Sequence, residues 1–496
     1  MAWFLLLGIL GLFTYFTVQR SVATITRTPV WLLWLVLMTP ALIWTGWILM
    51  KGEEAQIPTI LLLGPFVLCP ILYWFLIQWG RPVSPPPSET LTSTPETIPI
   101  PPASLDPKGI IKPINREEEA TLHTCFPWTV YYLQNVEYRP QALICRGQLR
   151  ASPEVAYQTI RENIEMRFGD RFLVIFQEGG NGKPFFALVP NVQARRGDAA
   201  KRSDGRPIVA LVLSALTLLT CTLGGIVLLG KTAEELPGDA SVLLLGLPYG
   251  LALMTILGIH EMAHYLAARR NGMRATLPYF IPVPPTGVFP FGTFGAFIQM
   301  RSPVPDRKAL FDVGIAGPMA GFLASLPFLF WGLAHSTVVD RTETSSILNF
   351  NSFDPQSSLL LAILSRLALG GQLAAQQTID LHPVAIAGCI GIVITALNLM
   401  PVGQLDGGHI VHAMFGQRMG ATIGQIARLL VLFISFVQQE FLLWAILLLF
   451  IPAMDEPALN DVSELDNRRD FFGLLALTVL VVIILPVPPL MTRLLF

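Results

Sequence analysis

Residues 241–259 carry no charged side chain, and the five residues that follow read HEMAH. Nineteen apolar residues in a helix span roughly 28 Å, close to the hydrocarbon thickness of a bilayer. In lipid every backbone polar group must be satisfied internally, so such a run is restricted to helix. An unpaired carboxylate at that depth costs several kcal/mol. His260, Glu261 and His264 therefore need a reason to be there.

The rest of the chain repeats the pattern. Of its 496 residues 52% are hydrophobic and 14% charged, against roughly 25% charged in soluble proteins. Apolar runs occur at about 2–18, 30–50, 57–79, 208–230, 241–268, 309–334, 382–400, 421–438, 441–454 and 472–490. The expectation is a polytopic α-helical membrane protein of about ten transmembrane helices. The run 441–454 is short for a crossing, and 358–377, with Arg366 and a glutamine-rich end, reads as interfacial or re-entrant. The first run has no preceding Lys or Arg and reads as an uncleaved anchor rather than a signal peptide. A net charge of −1 gives no global basic balance, so no nucleic-acid partner is expected. Cys69, Cys125, Cys145, Cys221 and Cys389 are scattered and lack CxxC spacing, which indicates neither a disulfide framework nor a cysteine zinc site.

Composition also sets the domain boundaries: N-terminal spans over 1–81, a Pro/Ser/Thr-rich linker over 82–113, and a small soluble α+β domain with a basic connector over 114–207. A membrane-embedded domain fills 208–496. Within 114–191 the pattern is ββαββ, with Ser152 and Pro153 opening the helix. Lys and Arg gather at Arg20, Arg27, Arg81, 195–206, Arg269, Arg270, Arg274, Arg468 and Arg469, whereas KGEEAQ and KTAEELPGD carry acids. The positive-inside bias then puts the soluble domain and the end of the HEMAH helix on the cytoplasmic or stromal side.

On a helix, residues i and i+4 share a face about 6 Å apart along the axis. His260 and His264 can thus hold one zinc ion, and Glu261 is placed to serve as a general base. Catalytic zinc keeps three protein ligands. The best source of the third is residues 396–416, ALNLMPVGQLDGGHIVHAMFG, where Pro401, Gly403, Gly407 and Gly408 allow irregular backbone at membrane depth. Asp406 is the leading candidate there, with His409 and His412 as rivals, and Asp406 as a plain helix cap is the bland alternative.

HEMAH together with NLMPVGQLDG at 398–407 resembles the site-2 protease family of intramembrane zinc metalloproteases. GPMAG at 317–321 fits the middle span of that family, whose small residues suit close helix packing. The segments PYFIPVPP, FGTFGAFIQMRSPVPDRKALFDVGIAGPMAG and LNDVSEL resemble the cyanobacterial and chloroplast branch called ethylene-dependent gravitropism-deficient and yellow-green. The resemblance covers about residues 114–490. It implies His260, His264 and Asp406 as zinc ligands, Glu261 as base and Asn398 as a residue holding substrate or oxyanion. It also implies transmembrane protein substrates and a cyanobacterial plasma or thylakoid membrane. His409 stands where relatives carry arginine, and in RGQLR (146–150) Gln148 replaces the branch's asparagine. Some members of the branch lack the zinc motif, so a non-catalytic scaffold is one alternative. A metal transporter is another, although one compact constellation and no internal repeat speak against it.

Residues 278–300 hold too many prolines for a helix and are too apolar for a solvent loop. They read as a membrane-dipping hairpin or re-entrant loop ending in a strand near 292–298, whose edge can pair with an extended substrate. Gly292, Phe294, Gly295, Ala296 and Pro401 are the candidate substrate contacts. The charged stretch 455–470, DEPALNDVSELDNRRD, reads as a solvated loop.

Overall fold

The structure is a computed structural model. It describes residues 28–51, 114, 116–139, 142–180, 182–191, 207–230, 241–286, 289–340, 350–370, 373–374, 377–437, 441–488 and 491–492, with scattered positions before residue 81. Expected runs 2–18 and 57–79 lie largely outside these, as do the linker 82–113 and the basic segment 195–206. The chain forms two compact units, Met1–Pro99 and Ile100–Phe496. In the first, helix α1 (Val30–Lys51) packs Leu33 and Val36 against Cys69 and Leu76.

The second unit begins with α2 (Arg116–Thr124), followed by β1 (Tyr131–Arg139), β2 (Ala142–Leu149), α3 (Pro153–Phe168), β3 (Phe172–Glu178) and β4 (Pro184–Pro190). This is the ββαββ order expected. The strands form one antiparallel sheet in the order β1-β2-β4-β3. Ser152 occupies the α3 N-cap and Pro153 its first turn, but the Ser152 side chain makes no capping bond. Alternate strand residues Tyr131, Cys145, Phe176 and Phe186 meet Ile160 and Ile164 of α3 in the core. Phe176 and Phe186 stack with ring centroids 4.1 Å apart. Gly147 of RGQLR has a packing role: a Cβ there would lie 2.1 Å from the Tyr132 carbonyl oxygen. The described cysteines are free and buried, and burial pushes the Cys145 thiol up to about 12.

The membrane part comprises α4 (Pro207–Leu228), α5 (Ser241–Arg270), a hairpin of β5 (Tyr279–Pro282) and β6 (Thr293–Phe297), and α6 (Arg307–Ala334). Strands β7 (Thr337–Asp340) and β8 (Gln377–Asp380) flank α7 (Leu359–Leu369). The chain then continues as α8 (Pro383–Leu399), α9 (Asp406–Phe415), α10 (Gln417–Val437), α11 (Leu442–Phe450) and α12 (Asn467–Ile484). Among the described residues, five helices are long and apolar enough to cross a membrane: α1, α4, α5, α6 and α10. The expected number was about ten. Prolines and polar turns cut the remaining described runs short: α8 has 17 residues, α7 has 11 and α11 has 9, while α12 opens with charged residues. Within 358–377, read above as interfacial or re-entrant, the described residues form the 11-residue α7, and β8 begins at Gln377.

Helices α5, α6 and α8 pack together at the centre. Pro248, Pro318 and Pro327 lie inside α5 and α6, where neighbouring helices meet the disturbed backbone. Asp306 caps α6 by accepting from the Ala309 N–H at 2.8 Å, a contact of about 1 kcal/mol.

The stretch 455–470 differs from expectation. Asp455, Asn460, Asp461 and Ser463 are buried rather than solvated. Residues 455–462 form a strap, whose stretch 459–461 runs between two backbones. The Phe176 N–H donates to the Leu459 carbonyl at 2.7 Å, and the Asp461 N–H returns to the Phe176 carbonyl at 2.9 Å. On the other side Leu459 and Asn460 donate to the Val304 and Pro305 carbonyls at 2.9 and 3.0 Å. The buried aspartates find partners across space that the local charge run did not reveal.

Candidate metal centre

Helix α5 presents His260 and His264 one turn apart on its buried face, with Nε2 atoms 3.2 Å apart. Asp406, the first residue of α9, brings Oδ2 to 3.3 Å from His264 Nε2 and 3.8 Å from His260 Nε2. Donors about 2.0–2.1 Å from a tetrahedral zinc lie roughly 3.3–3.4 Å from one another. Two of the three separations match that spacing and the third, at 3.8 Å, is wider; among the described residues these three form the group able to hold a metal. His409 and His412 fall outside it. The three donors line a cavity of about 700 Å³ together with Glu261, Ala296, Ile298 and Asn398, among others.

The surrounding residues orient the donors. His264 Nδ1 donates to the Val313 carbonyl at 2.9 Å, which fixes the tautomer and leaves an Nε2 lone pair for the metal. Next to Val313, Asp312 accepts two bonds from Arg469 of α12, at 2.7 and 2.8 Å. This bidentate pair braces the stretch of α6 that holds His264. Asn398, at the end of α8, sets its side-chain nitrogen 3.2 Å from His260 Nε2. Glu261 stays outside the donor group and lines the cavity beside Ile298.

Two glycines make room for the imidazoles. A Cβ at Gly317 would lie 2.0 Å from His264 Nε2, and one at Gly321 would lie 2.8 Å from His260 Nδ1. The GPMAG segment thus seats the histidines as well as bringing helices together. At the start of α9 a Cβ at Gly407 would lie 2.0 Å from the Leu399 carbonyl oxygen, so the turn carrying Asp406 is packed backbone on backbone.

The hairpin lies against this cavity. Ala296, Phe297 and Ile298 line it, whereas Gly292, Phe294, Gly295 and Pro401 do not. Gly292 anchors the hairpin: its φ is +80° and its carbonyl accepts from Thr220 Oγ1 at 2.6 Å. Phe294 is exposed, Gly295 has φ +100°, and Pro401 lies in the turn after α8 with its carbonyl beside Gly424. Strand β6 pairs with β5 alone among the described strands. Sequence reasoning missed the Val313 carbonyl, the Asp312–Arg469 brace and the contacts of His412 with Asp455 and Asp461. Each joins residues far apart in the chain, with no short-range signature.

The chain is thus a multi-pass helical one in which His260, His264 and Asp406 form a candidate metal site. Residues 249–439 match the model of peptidase family M50, and residues 120–196 match that of the EGY3 middle domain. The family resemblance carried by the motifs is thus matched by these two family models over those residues. The probable zinc metalloprotease EGY2, chloroplastic, of Oryza sativa subsp. indica is 26% identical over 370 residues, covering 73% of this chain and 65% of the relative. The probable zinc metalloprotease EGY1, chloroplastic, of Arabidopsis thaliana is 35% identical over 243 residues, 49% of this chain and 43% of the relative. The probable zinc metalloprotease EGY3, chloroplastic, of Oryza sativa subsp. indica is 26% identical over 385 residues, 74% and 63%. The chain thus spans less than two thirds of the length of each of these relatives. All three are described as chloroplastic, and none carries the cyanobacterial setting expected above. No solved structure matches the chain.

Proposed function

We propose that the protein is an intramembrane zinc metalloprotease that hydrolyses peptide bonds in or near transmembrane helices of membrane-protein substrates. The observation that carries this reading is the convergence of His260, His264 and Asp406 donor atoms beside a cavity that Glu261 also lines. Zinc held by these three donors supplies a Lewis acid that polarises the scissile carbonyl and lowers the pKa of water. Glu261 takes the proton of the attacking water and returns it to the leaving amine. Asn398, at the edge of the donor set, is the candidate donor to the developing oxyanion. Ala296, with its neighbours Phe297 and Ile298, offers an open strand edge on which an unwound substrate can extend. Gly292, Phe294 and Gly295 act as its frame, and Pro401 shapes the turn that delivers Asp406.

The soluble domain and the site lie on the same side of the membrane in this reading. The strap supports it, since it touches the domain at Phe176 and the cavity at Asp455. The positive-inside bias makes that side cytoplasmic or stromal, in a plasma, thylakoid or other plastid-type membrane. The division into 1–81, 82–113, 114–207 and 208–496 follows the same reading, with the last segment catalytic.

The test is cleavage of transmembrane reporter segments by the purified protein in lipid vesicles. Products are expected with the native protein, their loss on treatment with a zinc chelator, and their return on adding zinc. Products that persist after the metal is removed would sink the mechanism.

A further inference from the structure

Helix α9 carries Asp406 at its first position and His412 in its last turn. His412 is 1% exposed and is held from both sides. Its Nδ1 lies 2.8 Å from Asp455 Oδ2, and its Nε2 lies 2.8 Å from Asp461 Oδ1. A ring with a carboxylate at each nitrogen donates twice. His409, on the same helix, donates to the same Asp455 oxygen at 2.8 Å. A buried charged ring is tolerated only with such complete pairing, and removing one partner is strongly unfavourable. These bonds stop α9 from rolling or sliding. Arg307 adds a further tie, donating from Nε to the Ala413 carbonyl at 2.8 Å.

Both aspartates belong to the strap, and the strap belongs equally to the soluble domain. The Asp461 N–H bonds the Phe176 carbonyl of β3, while its side chain bonds His412. Leu459 and Val462 pack against the domain's hydrophobic core. Asp455, Glu456 and Pro457 line the cavity that holds Asp406. A second tie joins Lys308, in the first turn of α6, to Glu154 of α3 at 2.9 Å.

We propose that His412, clamped between Asp455 and Asp461, is a positioning residue for the Asp406 carboxylate, and that the strap couples docking of the soluble domain to the geometry of the metal centre. This rests on reading His260, His264 and Asp406 as that centre. The soluble domain then sets how firmly the metal is held. A substrate or partner that pulls the domain away from the strap loosens α9 at the end opposite Asp406.

The experiment uses the full chain in detergent, loaded with zinc, and follows release of the metal to a strong chelator. Cobalt absorption of the substituted site reports its geometry independently. His412→Gln is expected to release zinc 10–100-fold faster and to shift the cobalt bands, the usual size of effect for a group that orients a ligand. Asp461→Asn, which is isosteric, is expected to move both readouts the same way and serves if His412→Gln does not fold. Leu459→Ala touches the domain side of the strap alone and is expected to act in the same direction by less. Wild-type zinc release and an unchanged cobalt spectrum in Asp461→Asn and Leu459→Ala would overturn the coupling and leave the cluster as a fastening only. A wild-type protein that holds no zinc would overturn the metal-centre reading itself, and this inference with it.

Discussion

Glu261→Gln is expected to keep zinc bound and to reduce the turnover rate by about 10²–10⁴-fold, the range typical of a lost general acid–base group. The substitution preserves volume in a buried position and removes only the ability to take and return a proton. Glu261 is not one of the three donor atoms, so metal stoichiometry should match the wild type. KM should move little, since what is lost acts in the transition state rather than on substrate binding. Single-turnover cleavage of a reporter helix, set beside metal analysis of the same sample, checks this. Retained turnover would remove Glu261 from the mechanism. Lost zinc would make it a ligand instead.

Gly317→Ala is expected to destroy the metal centre from a neighbouring helix. The added Cβ would sit 2.0 Å from His264 Nε2, the atom that must face the metal. The imidazole cannot turn aside without breaking its bond to the Val313 carbonyl. Helix α5 cannot retreat from α6 while α4 and α8 also pack against it. Helix propensity itself favours alanine over glycine by about 1 kcal/mol, so backbone preference gives the variant no reason to unfold. The expected result is a folded protein that binds less than a tenth of the wild-type zinc, which a second-sphere effect of 10–100-fold in affinity would already produce near the dissociation constant. Gly317→Ala with full zinc content would show that the two helices separate readily at this point.

What the sequence disclosed depended on the range of each interaction. HEMAH is legible because i and i+4 on one helix meet regardless of fold. The contribution of Asp406 is legible only because its surroundings, with Pro401, Gly403, Gly407 and Gly408, break the helix where polar backbone needs a cavity. The hairpin was visible in the prolines of 278–300, and β5 and β6 form within that stretch. Of the ten expected spans, five among the described residues are helices long and apolar enough to cross a membrane. Hydropathy registers apolar runs, but proline and polar turns divide them into helices as short as α11, with its 9 residues. The strap was misread because 455–470 is dense in charge, and charge runs are usually solvated. Its burial depends on His412, Phe176 and Val304, none of them near in sequence. GPMAG was read as a surface for close helix packing, and the added role of Gly317 and Gly321 in seating the histidines required the third dimension.

The central claim is that two motifs 142 residues apart, at His264 and Asp406, build one metal site. Zinc content of the purified protein, measured beside His264→Ala and Asp406→Ala, tests it most directly. About one zinc per chain is expected in the wild type, as in other three-ligand catalytic sites, with loss in both variants. Zinc absent from the wild type, or retained after either substitution, would contradict the account.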